Sequence, residues 1–125
     1  MVKKNVQDTY FKQKVLTASP GELVLLLYDG FIKFCNIASV GIDEKNYEKA
    51  NTNIQKAERI IDELQGSLDR KYEVSKDFDN IYTYVLRRLH EANIYKNKEI
   101  LEECITHIRS LRETWVEVMK RSAKK

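Results

Sequence analysis

A chain of 125 residues and 14.7 kDa suits one domain and can bury about two-thirds of its unfolded surface without a disulfide or metal staple. With 42% hydrophobic and 33% charged residues it is too apolar to be disordered, and four Gly with one Pro argue against a turn-rich sandwich or barrel. The net charge of +3 divides into +3 on residues 1–18, −4 on the body and +4 on residues 119–125, which reads as solvated ends rather than the concentrated basic face of a nucleic-acid binder.

No run approaches about 18 consecutive apolar residues, so no membrane insertion is expected. Met1-Val2-Lys3-Lys4-Asn5 is not followed by the apolar stretch of a secretion signal. Cys35 and Cys104 each sit among apolar neighbours and read as reduced core residues of a cytoplasmic protein.

In chain order, residues 1–18 form a mobile arm whose Tyr10, Phe11, Val15 and Leu16 suit a short helix. The bundle proper is expected over 19–121. Its first helix opens at Ser19-Pro20-Gly21-Glu22, where Ser19 is placed to cap, Pro20 suits the first helical position and Glu22 completes a capping box. It runs to about Val40, with Gly41 as the stop. The second spans about 43–68, with Tyr47, Ala50, Ile54, Ala57, Ile61, Leu64 and Leu68 alternating by three and four. The third spans about 75–95, with Val74, Phe78, Ile81, Val85, Leu89 and Ala92 on one face. Asn97 caps a fourth, which runs to about Arg121 along Leu101, Cys104, Ile108, Leu111, Trp115 and Val118, before a basic tail at 122–125. Each helix is about 30–37 Å long, and short connections make neighbours antiparallel. The expected fold is all-α, an antiparallel four-helix bundle with a short N-terminal helical arm.

The first helix is too apolar for a plain bundle. At about 100° per residue its apolar positions cover an arc of about 260°, whereas a one-sided surface helix needs little more than 100°. Either it is the most buried member, covered further by the arm, or part of the arc is a groove for another chain. Tyr84, on the polar side of the third helix, is either an interface anchor or an ordinary surface tyrosine. Arg112, between Met119 and Ile105 on the fourth helix, either forms an internal ion pair, with Trp115 filling the core, or joins Trp115 as a partner-facing pair.

No enzyme chemistry emerges. His90 and His107 lack the Glu three residues earlier that a di-iron bundle needs, and Cys104-x-x-His107 falls short of a four-ligand zinc site. There is no phosphate loop or nucleophile elbow, and no cofactor is expected. What remains is binding by a helical surface.

The segment Val15-Leu16-Thr17-Ala18-Ser19-Pro20-Gly21-Glu22-Leu23-Val24-Leu25-Leu26-Leu27-Tyr28-Asp29-Gly30 resembles the signature of the flagellar secretion chaperone family FliS, with an aromatic ahead of it at Tyr10. Tyr47-Glu48-Lys49-Ala50-Asn51, the run from Tyr82 to Ile94, and Leu111-Arg112-Glu113-Thr114-Trp115 follow in the family's order. Lys71-Tyr72-Glu73-Val74 departs from the Gly-Gly-Glu-Ile of many members, and Phe31 stands where a small residue is common. The resemblance implies a cytoplasmic bundle, a monomer or weak dimer when free. It implies that this bundle binds the disordered C-terminal segment of flagellin and passes it to the type III export apparatus, and that the arm occupies part of the groove until flagellin arrives. The expected binding residues are Leu27, Tyr28, Phe31 and Ile32 on the first helix, Tyr82, Leu86 and Arg87 on the third, and Tyr10, Val15 and Leu16 in the arm. The competing expectation is a structural or regulatory bundle that self-associates through the first helix.

Overall fold

The structure, a computed structural model, describes residues 20–123. Tyr10, Val15, Leu16, the proposed Ser19 cap and the last two residues lie outside the described residues. Four helices follow in order: α1 Pro20–Asp43, α2 Tyr47–Gly66, α3 Val74–Tyr95 and α4 Lys98–Ala123. α1 packs on α2 and α4, and α3 packs on the same two, so the helices close a ring with α1 and α3 on one diagonal. Short connections make successive helices antiparallel, as the spacing requires.

The expected stop at Gly41 is corrected. Gly41 is a buried helical residue, and a Cβ there would lie 2.9 Å from the backbone nitrogen of Ala50. Its missing side chain lets α2 approach α1 rather than ending the helix. The chain turns instead at Lys45, in the left-handed region at φ 57°, with Asn46 N–H donating to Gly41 O at 2.8 Å. Asn46 then caps α2, its Oδ1 accepting from Lys49 N–H at 3.1 Å, so α2 begins at Tyr47 rather than near 43. Asn97 behaves as expected, its Oδ1 accepting from Ile100 N–H at 3.2 Å. α4 continues to Ala123, past the expected end at Arg121.

The middle of each alternating seam forms the core, whereas Tyr47, Val74 and Val118 at the seam ends are exposed. Ile54, Ala57 and Ile61 of α2, Val85 and Leu89 of α3, and Leu101, Cys104 and Ile108 of α4 have no exposed surface. Both cysteines are free thiols inside it, and burial pushes their pKa up, that of Cys104 to about 12.

By length and mean hydropathy (1.6), α1 is the one helix among the described residues that is apolar enough to cross a membrane. Counting unbroken apolar runs overlooks this, because Asp29 and Lys33 interrupt the sequence. Within the bundle, Tyr28, Phe31, Cys35 and Ala38 of α1 are buried in the core.

Candidate partner-binding surface

Tyr28, Phe31, Cys35 and Ala38 form the buried line of α1, at 1%, 0%, 0% and 0% exposure. Two half-buried shoulders flank it. One passes under α2: Lys56 of α2 lies 5.4 Å over the Phe34 ring, and at about 100° per residue Leu23, Leu26 and Ile37 continue round from Phe34. The other carries Leu25 and Ile32, which at about 100° per residue lie on the same side of α1 as Gly21 and Asp29, the residues that α4 reaches. There Arg112 Nε donates to Asp29 Oδ1 at 2.7 Å, and Trp115 Nε1 donates to Gly21 O at 2.9 Å. Arg112 therefore forms a surface bridge between helices rather than an internal pair, and Trp115 is half-buried rather than core.

The residues expected to bind a partner divide accordingly. Phe31, Tyr28 and Tyr82 lie inside the bundle, and of the three only Tyr28 and Tyr82 also line a pocket. The last two meet across the diagonal, their hydroxyls 2.6 Å apart, and burial pushes both phenols above their usual range. Leu27, Ile32 and Leu86 are half-buried, with one side against the core. Arg87 is exposed, its guanidinium 5.3 Å over the Tyr84 ring. α2 and α4 separate α1 from α3, so the α1 and α3 residues do not make one compact patch. A partner touching both has to wrap round the bundle.

Sequence reasoning missed a pocket of about 550 Å³ where α1 begins, α4 ends and the α2–α3 connection crosses. Tyr72, Val74 and Val118 rim it and are 58%, 55% and 43% exposed. The signal was present: Val74 and Val118 are the end positions of their seams, and they come after the core has ended.

Tyr84 is a strut between helices. Its hydroxyl donates to Glu103 Oε2 at 2.6 Å, while Arg88 Nε donates to Glu103 Oε1 at 2.8 Å. His107 lies 3.5 Å from Glu103, and His90 is paired with Glu58. The Tyr84 hydrogen bond, followed by that of Arg88, holds the Glu103 carboxyl below the usual carboxylate range. Its folded pKa is lower than its unfolded one. The stabilisation is therefore present above about pH 4.3 and is lost as pH falls through the folded value. Glu103→Gln is expected to lower the melting temperature at neutral pH and to weaken its fall in acid, as thermal unfolding across pH would measure. Parallel pH curves for the two proteins would count against the strut. No group of three or more metal-ligating side chains occurs among the described residues.

The chain matches the family described as Flagellar protein FliS over residues 2–122. It belongs to the FliS family. It is 36% identical to the flagellar secretion chaperone FliS of Bacillus subtilis, over 99% of this chain and 93% of that protein. It is 31% identical to the Escherichia coli flagellar secretion chaperone FliS, over 82% of this chain and 78% of that one. A solved structure, described as a flagellar chaperone from bacteria, superposes with a TM-score of 0.77 over 92% of this FliS-family chain and 98% of its own, at 11% identity. That likeness establishes the shared helical fold.

Proposed function

We propose that this FliS-family protein is a flagellar secretion chaperone that holds the disordered C-terminal segment of flagellin in the bacterial cytoplasm and presents it for type III export. One observation carries this. The fully buried line of α1 is Tyr28, Phe31, Cys35 and Ala38, and the apolar shoulders on both sides of it, although packed against the core, stay half-buried. A flagellin helix that buries its apolar face in a filament needs a substitute surface before assembly, and these shoulders supply one. Leu27 and Ile32 on the two shoulders, with Leu86 and Arg87 on α3, form the contact set. Tyr28, Phe31 and Tyr82 support it from within. The separation of α1 from α3 favours a long segment that wraps, gaining area while the cost of ordering it keeps the complex reversible enough for release.

Titration calorimetry of the full chain with a peptide copying the flagellin C-terminal segment is expected to show saturable one-to-one binding. Absence of heat, with no shift on a sizing column, would overturn the proposal. A concentration-independent dimer seen by light scattering would instead favour self-association through α1.

A further inference from the structure

The bundle is built in layers, and one is incomplete. Tyr28, Leu64, Tyr82 and Leu111, one from each helix, are buried and close the core toward one end. About one helical turn further out stand Val24 of α1, Phe78 of α3 and Trp115 of α4, with Leu68 just past the end of α2. In a closed bundle these four would meet. Here all four are half-buried, and all four line the pocket of about 550 Å³. An open pocket of this size lies within the range of ligand sites.

The floor of the pocket is chemically specific. Tyr28 and Tyr82 both line it, are 1% and 2% exposed, and share a single hydrogen bond between their hydroxyls. Two hydroxyl hydrogens are present and that bond uses one. The second has no acceptor among the described residues, although buried donors are almost always satisfied. The floor therefore offers a donor to whatever enters. An anionic tip is disfavoured, because this floor is desolvated and carries no cation.

We propose that the open layer is an anchor socket for one helix of the bound segment. It would take a bulky side chain with an apolar body and an uncharged hydrogen-bond-accepting tip, received by the Tyr28–Tyr82 hydroxyl pair. This rests on the chaperone reading above and specifies how the segment is registered on the bundle. The four half-buried walls complete their layer around the anchor body, and the exposed Tyr72, Val74 and Val118 cover the turn that presents it.

Trp115 is the single tryptophan, so its indole N–H resonance reports on the socket directly. The test is a titration of the full-length protein with the flagellin C-terminal peptide, followed by calorimetry and by that resonance. The indole signal is expected to move in step with the heat. Val24→Phe, which fills the socket, is expected to raise the melting temperature of the free protein. Both Val24→Phe and Val118→Glu, a rim change at an exposed position, are expected to weaken the peptide at least about tenfold. The pair Tyr28→Phe with Tyr82→Phe keeps the shape and removes the donors, and is expected to weaken it about fivefold. If the peptide binds while the indole signal stays still and Val118→Glu binds like the wild type, the socket is wrong and the chaperone reading stands. If the wild type gives no heat, both fall. If the indole signal moves on deletion of residues 1–17 but not on peptide addition, the socket belongs to the chain's own N-terminal segment and the proposal is overturned. If the double Phe variant binds at full strength, the acceptor assignment is overturned.

Discussion

Phe31→Ala is expected to destabilise the free bundle by about 3–5 kcal/mol. Ile32→Asp, one residue along, is expected to leave it folded and remove about 2–4 kcal/mol of partner affinity. The difference lies in which way each side chain points. Phe31 has no exposed surface and sits between Tyr28 and Cys35 on the core line, so its loss leaves a cavity that the surrounding helices can only partly fill. Against a total stability of about 5–15 kcal/mol, this should move a urea midpoint far to the left. Ile32 is half-buried on the shoulder beside α4. A carboxylate there can turn toward water in the free protein at a cost of about 1–2 kcal/mol. Under a bound apolar helix it has no such escape. Equilibrium unfolding and peptide titration of both variants separate the two roles. An Ile32→Asp protein that binds at full strength would remove this shoulder from the contact surface. A Phe31→Ala protein as stable as the wild type would mean that the core line has been drawn wrongly. The same contrast applies to Tyr28→Asp, which buries a charge beside Tyr82 and is expected to unfold the protein rather than report on binding.

Residues 31 and 32 also mark the limit of what the sequence conveys. On α2 and α4 the apolar residues occupy one stripe, so spacing alone separates Ile54, Ile61, Leu101 and Ile108 from their polar neighbours, and each is fully buried. On α1 the stripe extends round most of the helix. Spacing then shows that there is an excess without showing which third of it faces the other helices. Phe31 and Tyr28 looked as available as Ile32 and Leu27, and the decision belongs to where α2 and α4 pack. The burial of Tyr82 is hidden for a related reason. Its ring reaches the core because Tyr28 arrives from the opposite corner of the bundle, 54 residues away in sequence. The Asp29–Arg112 bridge spans 83 residues and is equally invisible to a wheel, although the need of Arg112 for a partner was legible. The open layer at the end of the bundle falls between these cases. The seams hold through the middle of the bundle, but Tyr47, Val74 and Val118 at their ends are exposed, which an unbroken pattern does not reveal. Whether the four helices close on one another at this end depends on helix length and splay.

Gly41→Ala is expected to cost about 2–3 kcal/mol, whereas Gly66→Ala is expected to gain about 0.5–1 kcal/mol. Both glycines are helical residues near a helix C-terminus, and propensity alone would predict that alanine helps at each. Packing reverses the sign at one of them. A methyl group at Gly41 would stand 2.9 Å from Ala50 N and 3.1 Å from Asn46 O, both backbone atoms that no rotamer change can move aside. The Asn46 N–H to Gly41 O hydrogen bond and the Asn46 cap of α2 lie in the same turn, so separating the helices there also strains the start of α2. At Gly66 an added methyl meets nothing within 4 Å, and the gain in backbone restriction is kept. Paired thermal melts are expected to move in opposite directions, by about 4 °C per kcal/mol for a domain of this size. If both variants were stabilised, α1 and α2 would have to be free to part at this turn. The close approach that places the α1 shoulder against α2, and with it the position of Leu27 and Phe34, would then have to be redrawn.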